Sequence, residues 1–187
     1  MARSEGKTAA VCDAGPIIHL DELDSLDLLS DFSSILISKT VQIEIIKHRP
    51  NALKHLKVAF KIIDTISPPE SQMVVLSKAL LLDKGEMESL SLMQENPEAI
   101  FLTDDSAARL VAEELGYKVH GTIGIIIRAI RKKIKTPKEV VKLLNEIPKK
   151  TTLFIRPVLL EEIIQKVEKE YFIKSFSRLN KRTYKVL

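Results

Sequence analysis

Apolar residues fall along this chain in two kinds of run. Some are short and continuous, such as Ala9-Ala10-Val11-Cys12, Ile35-Leu36-Ile37 and Ile100-Phe101-Leu102. Others recur every third or fourth position, as in Ala107, Leu110, Val111 and Leu115, and again in Ile123, Ile126, Ile127 and Ile130. The first kind reads as buried strands and the second as one face of a helix. Residues 100–124 show both in order. A strand stops at Thr103-Asp104-Asp105-Ser106, a helix follows, and Gly116 sits where a helix end favours a left-handed residue. A second strand occupies 117–120, and Gly121-Thr122 opens another helix. Strand and helix alternating in this way predict an α/β domain with a parallel sheet. Ligands of such sheets bind at the carboxyl ends of the strands.

The remaining pattern extends that reading. A first strand over 8–12 ends at Asp13, and a helix over 17–29 follows with a break near Asp24. Pro16 suits a helix start, and Asp13 is close enough to act as its cap. A second strand over 35–38 leads to a helix that Ser38 or Thr40 caps and that runs to about His48. A helix over 52–59, a strand over 59–66 near the sheet edge, a break at Pro68-Pro69-Glu70 and a helix to about Leu82 come next. Asp83 then starts a helix to about Gln94. Past Gly124 one helix reaches about Lys133 and a second runs from Thr136-Pro137 to about Ile147. Pro148-Lys149-Lys150 reads as a turn, 153–155 as a short strand or the lead-in to a helix, and 157–171 as that helix. The expectation is a three-layer α/β/α domain around a central, mainly parallel sheet of four or five strands, with a basic helical C-terminal extension.

Composition narrows the classes. At 187 residues and 45% hydrophobic, the chain suffices for one domain and a small appendage. The single cysteine, Cys12, excludes an internal disulfide and points to a reducing compartment. No apolar run approaches the roughly 18 residues of a membrane span, and the N-terminal apolar part is too short for a signal peptide. A cytoplasmic, non-membrane protein is expected. The absence of Trp, only four Gln and four Asn, and much Ile, Lys and Glu lean toward a thermophile. Charge is unevenly placed: residues 128–187 carry 17 Lys+Arg against 6 Asp+Glu, and residues 1–127 carry 12 against 19. Carboxylates on one stretch and a basic surplus on another suit a metal-dependent enzyme of nucleic acids, or equally a solvated basic tail.

The acidic positions sharpen the choice. Asp13, Asp104 and Asp105 all follow strands and belong on one edge of a parallel sheet. Glu44 and Glu86 lie on helices near that edge if the first and fourth strands are neighbours. Each has a plainer reading: Asp13 as a helix cap, Glu86 as the partner of Asp83 in a capping box, and Glu44 as a surface residue. Together, such carboxylates repel unless a cation or a proton neutralises one. An all-oxygen set favours Mg²⁺ or Mn²⁺, and that chemistry suits phosphodiester hydrolysis. His19, His48, His55 and His120 lack metal-ligand spacing and read as surface or packing residues, and Cys12 reads as a small buried apolar one. Arg109, four residues after Asp105, reads as its helix-surface partner.

With VCDAGPIIHL at the first strand, Glu44, the Gly85-Glu86 pair, FLTDDSAAR and GYKVHGTIGIII, residues 8–135 resemble the PIN-domain ribonucleases. They look closest to a prokaryotic, often archaeal, branch related to the VapC-type toxins. The resemblance implies a domain over 8–135 that cuts single-stranded RNA with Mg²⁺ or Mn²⁺, and an extension over 136–187. It makes Asp13, Glu44, Glu86 and Asp104 or Asp105 the catalytic set. Asp13, Glu86 and either or both of Asp104 and Asp105 become the metal ligands. Thr103 and Thr122 are candidates to bond a metal-bound water or a phosphate, with Thr122 also readable as a plain cap. Arg128, Arg131 and Lys132 are candidates to contact phosphates. An antitoxin protein and a homodimer are implied partners, and an inactive RNA- or protein-binding module is the rival reading.

Overall fold

A computed structural model describes residues 7–64, 67 and 70–183. The chain divides into two compact units, residues 1–125 and 126–187. The first holds a five-stranded, all-parallel sheet in the order β3-β2-β1-β4-β5. Its strands are β1 (Ala10–Cys12), β2 (Ile35–Ser38), β3 (Phe60–Ile63), β4 (Ile100–Leu102) and β5 (Lys118–His120). Between them run α1 (Ala14–Glu22), α2 (Lys39–His48), α3 (Ala52–His55), α4 (Ser71–Ala79), α5 (Lys84–Glu95) and α6 (Ser106–Glu114).

From β1 to β3 the chain steps one way across the sheet, and from β3 to β4 it returns past its start. Right-handed crossovers therefore place α1 and α2 on one face and α4 to α6 on the other. The side chains agree. Val11 and Phe101 cluster with Met73 of α4, Leu90 and Met93 of α5, and Val111 of α6, all buried. Their strand neighbours Ala10, Cys12, Ile35, Ile37, Ile100 and Leu102 alternate to the opposite face and are also buried. Burial on both faces explains why these strands are continuous apolar runs without a polar alternation. It also makes a three-layer α/β/α fold, as expected.

β1 and β4 are neighbours with Ala10 opposite Ile100 and Cys12 opposite Leu102. The strand order reverses between them, so the crevice at their carboxyl ends is the topological switch point. β4 pairs β5 with Leu102 opposite His120. That register sets Asp13 beside Thr103, and Thr103 beside Gly121.

Several boundaries differ from the sequence reading. The helix expected over 17–29 is α1 followed by a short 3-10 turn, Leu26–Asp31, because Asp24 takes a left-handed φ of 50°. The helix expected over 52–59 is the single turn α3. Residues 65, 66, 68 and 69, including the proline pair of the expected break, lie outside the described residues. Gly116, with φ 81°, ends α6 as anticipated.

α7 (Thr122–Arg131) leads into the second unit, which also holds α8 (Pro137–Lys150) and α9 (Pro157–Thr183). α8 opens on a capping box, with Thr136 and Glu139 bonding each other's backbone amides. Val140, Leu144 and Ile147 of α8 and Leu160, Ile164 and Val167 of α9 are buried where these two helices pack. Pro148 lies inside α8 and does not end it. A proline in the last turn removes one backbone bond, and the helix runs two residues further, to Lys150, before Thr151 caps it. Residues 153–155 form no strand and lead into α9, which continues well past 171. Among the described residues, no helix is long and apolar enough to cross a membrane.

Candidate active site

Asp13 leaves β1 as the residue before α1. It occupies the N-cap position, but its side chain makes no capping hydrogen bond. The Thr103 hydroxyl donates to Asp13 Oδ2 at 3.2 Å instead, and the Asp105 amide donates to the same hydroxyl at 3.1 Å. Asp13 is only 8% exposed. Burial foremost, with Glu44 and Glu86 adding their charge, pushes its carboxyl from an ordinary 3.8 up to about 7. The Ala14 amide and the Thr103 hydroxyl pull the other way and do not win.

Glu44 and Glu86 reach this region from α2 and α5. Both carboxyls are raised, by burial first and then by neighbouring acids: Asp83 for Glu44, and Asp105, Asp83 and Glu44 for Glu86. The capping box foreseen for α5 is present. Glu86 Oε2 accepts from the Asp83 amide at 2.8 Å, and Asp83 Oδ1 from the Glu86 amide at 2.9 Å. The bond to the Asp83 amide occupies Oε2 of Glu86, so the cap does not use Oε1. Gly85 packs α5 against α2 at ordinary contact distance. A Cβ there would stand 3.6 Å from Val41 Cγ2 and 3.8 Å from Glu44 Oε2.

The two adjacent aspartates after β4 separate cleanly. Asp105 is the N-cap of α6, and its Oδ1 accepts from the amides of Ala107 and Ala108 at 2.8 and 2.7 Å. Asp104 turns the other way. Its Oδ1 accepts from the Thr122 amide at 2.7 Å. Its Oδ2 accepts from the Thr122 hydroxyl at 2.5 Å and faces His19 Nδ1 at 2.8 Å. A carboxylate offers about four lone-pair sites, so Asp104 has about one left, on Oδ1, whereas Oδ2 of Asp105 takes part in none of these bonds.

This geometry alters some of the sequence expectations. Thr122, a candidate for phosphate, gives both its hydroxyl and its helix-opening amide to Asp104, and it is fully buried. Thr103 is likewise fully buried and turned to Asp13. Arg109 does not pair with Asp105. One of its nitrogens donates to the Thr103 carbonyl at 3.2 Å, and another lies 3.7 Å from Glu113. His19 is more than a packing residue, because it touches Asp104. Eighty-five positions separate the two, so no local spacing could have announced the contact. Cys12 is buried as expected, and its thiol is pushed up by burial, with Asp13 and Asp104 adding to the effect. Arg128, Arg131 and Lys132 lie at the end of α7 and just beyond it, with Arg131 exposed.

A family model described as a PIN domain matches residues 9–169. The chain belongs to the PIN-domain family. No curated protein matches it. PIN domains are typically nucleases, and PIN nucleases generally use divalent metals.

The residues at the switch point fit such an ion in donor type and charge. All are carboxylates, and three of them are raised by burial and mutual repulsion, so a dication would relieve uncompensated negative charge. Among the described residues, however, no three His, Cys, Asp or Glu side chains already converge as a ligand set.

Proposed function

We propose that this PIN domain is a metal-dependent ribonuclease that hydrolyses phosphodiester bonds of single-stranded RNA. The observation that carries the reading is Asp13. It is a buried carboxyl at the switch point, raised to about 7 with Glu44 and Glu86 contributing. Groups perturbed in this way by burial and like charge mark functional sites. Asp13, Glu86, Asp105 and the remaining site on Asp104 would hold Mg²⁺ or Mn²⁺, with Glu44 completing the acidic set. The ion, when bound, supplies the charge that activates water and steadies the leaving oxygen. Thr103 orients Asp13 for that task, and the Asp83–Glu86 capping box fixes the first turn of α5 beneath Glu86. Arg128, Arg131 and Lys132 would contact phosphates without reading sequence. The same site serves a toxin restrained by an antitoxin protein or an RNA-processing enzyme, in either case cytoplasmic, and a homodimer fits both.

The test is cleavage of a labelled single-stranded RNA with Mn²⁺, Mg²⁺ or EDTA, beside Asp13→Asn. Cutting is expected only with metal, and is expected to vanish in the variant. RNA binding that persists in EDTA, without cutting under any condition, would replace this reading with that of a binding module.

A further inference from the structure

Two sequence motifs of this chain contribute no carboxylate to the acidic set: Gly15-Pro16-Ile17-Ile18-His19 on α1, and Gly121-Thr122 at the start of α7. Both converge on Asp104. Thr122 donates to it twice, at 2.7 and 2.5 Å, and His19 Nδ1 meets Oδ2 at 2.8 Å. Gly121 makes room, because a Cβ there would lie 2.6 Å from Asp104 Oδ1, and Gly15 packs alongside, where a Cβ would be in ordinary contact at 3.5 Å from Asp104 Cβ. The His19 and Asp104 side chains are only 12% and 13% exposed. The result is a cradle around one carboxylate, built from three separate elements.

His19 occupies a particular place in it. Its Nδ1 meets Asp104, and its side chain keeps 12% of its surface exposed. A carboxylate on Nδ1 favours a proton on that nitrogen and fixes the rotation of the ring. Thr122 reaches both oxygens of Asp104, and His19 adds a third contact, to Oδ2, from a separate helix.

We infer that His19 is a positioning residue for the nuclease, fixing Asp104 at the carboxyl end of β4 so that its one unused lone-pair site stays available to the ion. The inference rests on the ribonuclease reading for its catalytic consequence, but not for its structural one. Hydrogen-bond partners that orient a metal-facing carboxylate are typically worth about 10–100-fold in metal affinity or activity.

The experiment compares wild type, His19→Ala and His19→Asn in two measurements: Mn²⁺ binding by calorimetry, and cutting of labelled single-stranded RNA at saturating RNA and at low RNA. Asn can place its side-chain N–H close to where Nδ1 stands. The expected result is about tenfold weaker Mn²⁺ binding and about tenfold lower kcat in His19→Ala, with KM for RNA within about twofold, and recovery of most of both losses in His19→Asn. Circular dichroism melts confirm that each variant folds. Unchanged Mn²⁺ affinity and cutting in His19→Ala overturns the inference while leaving the nuclease intact. Equal damage in His19→Asn and His19→Ala also overturns it, because the N–H donor then does not matter. A wild type that binds Mn²⁺ but never cuts removes the ribonuclease reading, and the affinity comparison still decides the role of His19. A wild type that takes no Mn²⁺ removes both.

Discussion

Asp104 caps a helix to which it does not belong. Its Oδ1 accepts from the Thr122 amide at 2.7 Å and its Oδ2 from the Thr122 hydroxyl at 2.5 Å, across 18 positions of sequence. The negative charge sits at the start of α7, where the helix dipole favours it. Asp105, the next residue, caps α6. One acidic doublet thus starts two helices, and each aspartate keeps a different amount of its bonding capacity for anything else.

Removing only the hydroxyl should expose the worth of that link. Thr122→Val keeps the shape and the amide bond but strips a buried donor from a carboxylate. Hydrogen bonds to charged groups contribute about 1.5–3 kcal/mol. Urea unfolding should show a loss in that range, and Thr122→Ser should restore most of it. A loss within about 0.5 kcal/mol, the size of an ordinary surface substitution, would mean that the amide alone holds Asp104.

Asp13 should make stability depend on pH in an unusual direction. Its carboxyl is raised from 3.8 to about 7, so the folded chain keeps a proton that the unfolded chain releases. The stabilisation is complete below the unfolded value, declines as pH rises from about 4, and is gone once pH passes about 7. Glu44 and Glu86, raised as well, act with the same sign. Melting temperatures at about pH 5 and about pH 8 should therefore fall more steeply for wild type than for Asp13→Asn. Mn²⁺ should restore more of the loss at the higher pH, since it binds the ionised form. Parallel profiles for the two proteins would show that burial of Asp13 carries no such proton.

Much of this architecture was legible in the chain. Strands buried on both faces leave continuous apolar runs such as Ile100-Phe101-Leu102, and their helices show their period. Parallel strands with acids at their ends then predict where those acids gather. The Asp83–Glu86 capping box was readable because both partners lie within one helical turn. Contacts between distant elements were not readable. The grip of His19 and Thr122 on Asp104 depends on how α1, β4 and α7 come together, and no periodicity records it. Pro148 misled for the opposite reason: a local rule for ending helices gave way in a last turn that could do without one backbone bond.

Asp105 has two roles that can be separated. Its Oδ1 caps α6, and its charge is among the causes that raise Glu86. Asp105→Ser keeps a capping oxygen and removes the charge, whereas Asp105→Ala removes both. The alanine variant should lose about 1 kcal/mol of stability, within the 0.5–2 kcal/mol range for such caps, and the serine variant only a fraction of that. Both should weaken Mn²⁺ binding. Full Mn²⁺ affinity in Asp105→Ser would remove this residue from the metal set and leave it only a cap.

The basic surplus of residues 128–187 gives a last expectation, because phosphate contacts are counted by salt. Each phosphate neutralised on a single strand adds about 0.7 to the slope of log affinity against log salt. If Arg128, Arg131 and Lys132 all touch RNA, replacing the three with alanine should flatten that slope by about 2 and weaken binding alike across sequences. The acidic crevice is left untouched by these changes, so cutting at saturating RNA should persist while KM rises. Binding is best measured in EDTA with Asp13→Asn as the background, so that no RNA is consumed. An unchanged slope would assign the basic surplus of this stretch to solubility, and would leave the RNA path to be sought among the other Lys and Arg residues.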